Sequence, residues 1–129
     1  MLFYVNSTAA ADEPKLKLEK GDHVVLVGNT LADRMQHHGW LETEIYRRLP
    51  DRELVFRNLG FSGDELKLRI RSQDFGSPDD WLTKVEADVV FAFFGYNESY
   101  AGEKGLEAFK TDLANYLSSL KSQAYNGES

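Results

Sequence analysis

Residues 23–31 read HVVLVGNTL, an apolar run that ends in a glycine turn. A short apolar run between a polar lead-in and a glycine is typical of a buried strand in a parallel sheet. Two more runs share this form: residues 54–56 precede the turn NLGFSGD at 58–64, and residues 89–94 precede GYNE at 95–98. Because the carboxyl ends of parallel strands meet at one edge of a sheet, the three turns are expected to lie together.

The segments between these runs predict helices. Residues 31–49 carry apolar side chains at near-helical spacing and end at Pro50, and Gly39 is expected to divide this helix. Further helical segments are expected at 65–70, 81–86 and 105–121, with loops at 72–80 and 98–104. The alternation of strands and helices predicts an α/β fold of three layers, with a parallel sheet covered by helices on both faces. This is the flavodoxin-like arrangement, here incomplete, with three visible strands.

The third run is the most apolar of the three and suits a central strand covered on both sides. The alternative is that this strand has one unpaired edge. A long apolar edge strand pairs readily with another chain, so that alternative predicts self-association through the exposed sheet edge.

Composition limits the classes of partner. The chain has 129 residues, of which 42% are hydrophobic and 28% are charged, and this suits one globular domain over residues 16–129. The net charge of -6 argues against a nucleic-acid partner, which needs a basic face. No apolar run approaches the length of a membrane span. The absence of cysteine excludes disulfide and thiolate chemistry.

Residues 1–15 are interpreted as a leader or a partial signal segment. An apolar start is followed by three alanines at 9–11, which resemble the small-residue end of a signal peptide, although a basic start is lacking. A signal would make the protein secreted or periplasmic. A leader without that role would leave it cytoplasmic.

Each turn has a chemical interpretation and a structural one. The Thr30 hydroxyl could attack a carbonyl beside backbone N–H groups, yet Asn29 and Thr30 are also good helix caps. In the second turn, the Gly60 N–H could approach a substrate closely, or Ser62 could cap the next segment. In the third turn, the Asn97 amide could donate to an oxyanion, or it could bond to its own turn.

Together the three turns resemble the conserved blocks of the SGNH hydrolases, the lipase and esterase superfamily also called GDSL. That family carries Gly-Asp-Ser-Leu or a variant after its first strand, Asn-x-Gly-x-Ser-Gly after its second and Gly-x-Asn-Asp after its third. The corresponding residues here are GNTL at 28–31, NLGFSG at 58–63 and GYNE at 95–98. The resemblance extends over residues 21–121, and the second block matches at every fixed position.

The resemblance implies hydrolysis of an ester, either an acyl ester or an acetyl ester on a carbohydrate, without a metal or an organic cofactor. It places Thr30 at the nucleophile position. The oxyanion hole would comprise the Thr30 N–H, the Gly60 N–H and the Asn97 amide. Four neighbours in the same blocks are expected to contact the substrate: Asn29, Ser62, Tyr96 and Glu98.

Two departures weigh on catalysis. Threonine replaces the family's serine, and its added methyl group crowds a tight turn. The family's catalytic Asp and His lie in a late Asp-x-x-His block, and this chain has no histidine after His38. His37 and His38 follow Thr30 by about two helical turns, which is too far for a direct hydrogen bond unless the chain folds back at Gly39. We therefore expect a domain truncated before that block.

Two alternatives remain at this point. The first is a non-catalytic module on the same fold that binds a carbohydrate or another ligand, with Asn97 and Gly60 as donors and Tyr96, Tyr100 or Phe61 as apolar walls. The second is a nucleotide-binding α/β domain. The sequence carries neither Gly-x-Gly-x-x-Gly nor Gly-Lys-Ser/Thr, and this disfavours nucleotide binding.

Overall fold

A computed structural model of the chain describes residues 16–70 and 74–127. Its sheet has three parallel strands in the order β2-β1-β3, where β1 is His23–Gly28, β2 is Val55–Asn58 and β3 is Val89–Phe93. The predicted α/β class with a parallel sheet is therefore confirmed. The predicted leader and any signal segment lie outside the described residues.

Four helices follow the predicted order: α1 at Thr30–Met35, α2 at Trp40–Arg48, α3 at Pro78–Lys84 and α4 at Leu106–Lys121. The predicted division near Gly39 is confirmed, because α1 ends at Met35 and α2 begins at Trp40. Ser77 caps α3: its side chain accepts from the Asp80 N–H, while the Asp80 carboxylate accepts from the Ser77 N–H. Short 3₁₀ turns at Glu98–Ala101 and Glu103–Gly105 occupy the predicted loop before α4.

The prediction of helical turns at residues 65–70 is wrong for residues 65–69, which are irregular, with a bend at Leu66 and Lys67. The Glu65 N–H donates to the Leu68 carbonyl, which is the reverse of a helical bond, and the Leu66 N–H donates to the Glu98 side chain. The Leu66 N–H is satisfied by a side chain of the third turn, outside the segment. The conformation of residues 65–69 therefore depends on this tertiary contact more than on their helical propensity.

Helices cover both faces of the sheet because successive side chains of β1 point to opposite sides. On one face, Val25 and Val27 pack with Leu82 of α3 and with Tyr116 and Leu120 of α4. On the other face, Val24 packs with Leu18 and Leu54, and this cluster also contacts Ile45 of α2 and Leu49, the residue after α2. Val24 and Val25 are fully buried, and each such burial contributes about 1.5–3 kcal/mol.

The expectation that the most apolar strand is central is wrong. β1 lies in the centre and β3 lies at an edge, where it pairs with β1 and with no other strand of the described residues. No β3 side chain is fully buried, and Ala92 is exposed. The alternative of an unpaired apolar edge describes this strand.

Gly60 lies where α1 contacts the second turn. A Cβ at this position would stand 2.5 Å from Ala32 Cβ and 2.7 Å from the Asp33 backbone nitrogen. Because a helix backbone cannot move away as a flexible side chain can, only glycine permits this approach. Among the described segments, no helix has both the length and the apolar content needed to cross a membrane.

Gly60→Ala is expected to destabilise the domain by about 1–3 kcal/mol, because the added methyl overpacks the contact with α1. Gly39→Ala is the matched control, since a Cβ there meets nothing within 4 Å. Guanidinium unfolding followed by circular dichroism measures both free energies. Equal stabilities of the two variants would contradict the close approach.

Ala92→Lys is expected to reduce self-association, because a lysine on an edge strand opposes pairing with a second copy. Ala108→Lys adds the same charge at an exposed position of α4 and should leave association unchanged. Sedimentation velocity over a range of concentrations distinguishes the two variants. A wild-type chain that stays monomeric at every concentration would contradict the prediction of self-association.

Candidate functional site

The three turns follow the carboxyl ends of the strands, and hydrogen bonds link the first turn to the second and to the end of β3, and the third turn to the loop after the second. The Phe61 N–H donates to the Gly28 carbonyl at 2.9 Å, which joins the second turn to the first. The Asn29 N–H donates to the Phe93 carbonyl at 3.2 Å, which joins the first turn to the end of β3. The Leu66 N–H donates to Glu98 Oε1 at 2.9 Å, which joins the second loop to the third turn. The predicted convergence is confirmed.

In the first turn, Asn29 is the cap and Thr30 is not. Asn29 is 2% exposed, and its Oδ1 accepts from the Leu31 N–H at 3.4 Å. Its Nδ2 is buried and has no hydrogen-bond partner within the described part of the chain. Thr30 is the first residue of α1 and is exposed. The turn therefore presents a hydroxyl to solvent beside a buried amide donor.

In the second turn, Asn58 holds the loop against α1. Its Nδ2 donates to the Ala32 carbonyl at 2.6 Å, and its Oδ1 accepts from the Gly60 N–H at 2.9 Å. To act as an oxyanion donor, the Gly60 N–H would have to exchange this bond for one to the substrate. Ser62 donates from its hydroxyl to Asp33 Oδ2 of α1. The site residues named from the sequence do not include Asn58, although it opens the second block.

In the third turn, Glu98 acts as a bridge between loops. Gly95 adopts a φ of +108°, and its N–H donates to Glu98 Oε2 at 2.9 Å, while Glu98 Oε1 accepts from Leu66. Both Glu98 carboxylate oxygens therefore accept from backbone N–H groups of the protein. Asn97 is half-buried just before the 3₁₀ turn, and its carbonyl accepts from the Tyr100 N–H at 3.2 Å.

Tyr96 and Tyr100 form an exposed aromatic pair beside Asn97. Their side chains are 65% and 78% exposed, and their ring centroids are 5.6 Å apart in an edge-to-face arrangement. The Tyr100 hydroxyl donates to the Tyr96 hydroxyl at 3.0 Å, and this bond raises the pKa of Tyr100. The pair offers an apolar surface next to the third turn.

No general base is assembled on Thr30 within residues 16–70 and 74–127. His37 and His38 lie in the exposed turn between α1 and α2, and His23 lies at the opposite edge of the sheet, where its Nδ1 bonds to the Val85 carbonyl at 2.8 Å. Asp33 accepts from Ser62 and from Gln36. In the same part of the chain, no group of three or more His, Asp or Glu side chains is placed to hold a metal ion.

A cavity of about 190 Å³ lies beside the first and second turns, on the face of the sheet that α3 and α4 cover. Its walls include the ends of β1 and β2, together with Phe75, Trp81 of α3 and Tyr116 of α4. Its polar lining comes from Asn58, Asp64 and Arg69. Sequence reasoning missed this cavity because its residues come from separate loops and helices and share no motif.

Among the described residues that line the cavity, Arg69 is the only cation, and its guanidinium contacts aromatic rings. Its guanidinium carbon is 4.0 Å from the Phe94 ring centroid and 5.6 Å from that of Tyr116. Burial lowers the pKa of Arg69, against the opposing effects of Tyr116, Asp64 and Glu98. Burial also raises the pKa of Tyr116. Both shifts indicate that this end of the cavity is shielded from water.

Comparison of the chain with protein-family models, with curated proteins and with solved structures gives no match.

Proposed function

We propose that the three turns form the acyl-binding site of an SGNH-type ester hydrolase, with Thr30 at the nucleophile position. The observation that supports this proposal is the hydrogen bonding at one edge of the sheet: Phe61 of the NLGFSG block bonds to Gly28 of the GNTL block, and Glu98 of the GYNE block accepts from Leu66, just after the second turn. The family resemblance assigns the nucleophile and oxyanion donors to those same three blocks.

Thr30 suits the role because its hydroxyl is exposed and not committed to capping α1, a task that Asn29 performs. In the proposed reaction, Thr30 Oγ1 attacks the ester carbonyl carbon and the alcohol leaves, which produces an acyl-threonine. Water then attacks that acyl group, releases the carboxylic acid and restores the hydroxyl.

The oxyanion of each tetrahedral intermediate would accept hydrogen bonds from the Thr30 N–H and the Asn97 amide, and from the Gly60 N–H if Asn58 releases it. Asn29 Nδ2 would be a further donor if the turn opens toward the substrate, since it is buried next to Thr30 without an acceptor among the described residues. Donors held rigidly in this way contribute about 3–4 kcal/mol each in acyl-transfer sites. Tyr96 would contact the substrate's leaving group as an apolar wall. Asn29 would contribute through the amide described above. Ser62 and Glu98 would contribute by holding the second and third turns in place, through Asp33 and through Gly95 and Leu66.

The proton of Thr30 requires an acceptor that the described residues do not place on it. A positioned base typically contributes about 10²–10⁴-fold to the rate, so turnover by these turns alone is expected to be slow. This observation favours a second candidate: a module that binds a carbohydrate or another acyl-bearing ligand on the same donors without cleaving it.

Thr30→Ala is expected to abolish hydrolysis of p-nitrophenyl acetate, while Thr30→Ser should match or exceed the wild-type rate because it removes the crowding methyl group. Thr43→Ala is the control, since Thr43 is exposed on α2. Initial rates of p-nitrophenol release measure the effect. A rate that survives in Thr30→Ala would overturn the nucleophile assignment, and an inactive wild type that still binds an acetylated sugar would favour the binding module.

Asn97→Ala is expected to lower kcat by about 10²–10³-fold with little change in KM, because an oxyanion donor acts mainly in the transition state. Asn115→Ala removes an exposed amide from α4 and serves as the matched control. Steady-state kinetics on the same ester separate the two parameters. Were KM to rise with kcat unchanged, Asn97 would bind the ground state and the oxyanion role would be wrong.

A further inference from the structure

We propose that the cavity between α3, α4 and the carboxyl ends of β1 and β2 binds a small monocarboxylic acid with a flat apolar body, held by its carboxylate on Arg69. This site is separate from the proposed ester chemistry, since neither Thr30 nor Asn97 lines the cavity. The proposal does not depend on the hydrolase assignment.

The first argument is the unsatisfied guanidinium of Arg69. The guanidinium carbon lies over the Phe94 ring at 4.0 Å, and such a cation–π contact provides no lone-pair acceptor for the guanidinium N–H groups. No hydrogen bond or ion pair to these groups is found in residues 16–70 and 74–127. Half-buried donors without acceptors are costly, and arginine cannot discharge itself by losing a proton. A carboxylate supplies two acceptor oxygens in the geometry that the guanidinium matches.

The second argument is the local charge balance. Asp64 and Glu98 attract Arg69, but burial is the larger effect on its pKa and lowers it. Glu98 already accepts two backbone N–H groups, from Gly95 and Leu66. A ligand with one negative charge would offset the remaining cost of desolvating Arg69. Asp64 lines the same cavity and is 7% exposed, so a second negative charge on the ligand would be repelled.

The third argument is the shape and character of the walls. Phe75 and Trp81 stack on each other, with centroids 5.1 Å apart and planes inclined by 15°. With Tyr116, they give an aromatic lining that suits a flat ring. The volume of about 190 Å³ is below the roughly 300 Å³ at which pockets for drug-sized ligands begin, so the ligand is a single small ring compound.

Benzoate is the probe for this site, and benzamide is its neutral counterpart of nearly the same shape. The chain has two tryptophans, and Trp40 is 79% exposed on α2, so Trp40→Phe leaves Trp81 as the only indole reporter. In that background, benzoate is expected to change Trp81 fluorescence saturably. Benzamide should bind at least about tenfold more weakly, because it lacks the charge that Arg69 requires.

Substitutions then test the direction of the charge effect. Arg69→Gln is expected to weaken benzoate binding at least about tenfold. Arg69→Lys should weaken it less, since lysine keeps the positive charge but lacks the paired N–H groups of the guanidinium. Asp64→Asn should strengthen binding by removing the opposing carboxylate. Lys67→Gln removes a neighbouring exposed cation, which pairs with Asp112 at 2.7 Å, and should have no effect.

Thermal melting shows which variants are folded. If Arg69→Gln does not fold, Arg69→Lys and Asp64→Asn test the proposal in its place. The proposal is overturned if benzamide binds as well as benzoate or if Asp64→Asn weakens binding. It is also overturned if Lys67→Gln weakens binding as much as the Arg69 variants do, or if benzoate gives no saturable signal.

Discussion

The close approach of β1 to its neighbours at Gly28 is the constraint on which the rest of the structure depends. A Cβ at Gly28 would stand 2.4 Å from the Phe93 carbonyl oxygen, and its φ of +135° is one that other residues rarely adopt. The Gly28 carbonyl accepts from Phe61, and the next N–H donates to Phe93. A side chain at this point would push β3 away and separate the turns that meet there.

The sequence predicted the parts of the fold that depend on local pattern. Residues 23–27 were expected as a strand, and β1 is His23–Gly28; Gly39 was expected to divide a helix, and it does. The apolar content of β3 could not predict its place in the sheet. Helices that pack on a sheet bury apolar side chains of an edge strand as well as those of a central one. Residues 65–69 could not be predicted locally, because their N–H groups bond to Glu98 and across the loop.

For the three turns, the sequence predicted where they lie better than which contacts their side chains make. Polar side chains in all three blocks were candidates for substrate contact, yet Glu98 bridges two loops and Ser62 is tied to Asp33. Backbone N–H groups in turns have no sheet partner, so polar side chains must accept their hydrogen bonds. In a sequence, those side chains cannot be told apart from side chains that bind a substrate. The cavity was beyond prediction for a different reason: Arg69, Trp81 and Tyr116 meet only through packing.

The end of β1 separates two chemical environments. Thr30 lies at the exposed start of α1, whereas Val27 and Gly28 form part of a shielded aromatic cavity on the helix-covered face. Ester hydrolysis consumes water, and the open edge gives water access to Thr30. A carboxylate on Arg69 needs the opposite condition, because removal of water is what makes an ion pair between a guanidinium and a carboxylate strong. The same strand end therefore supports both proposals, and the two residues between Val27 and Thr30, Gly28 and Asn29, separate their solvent environments.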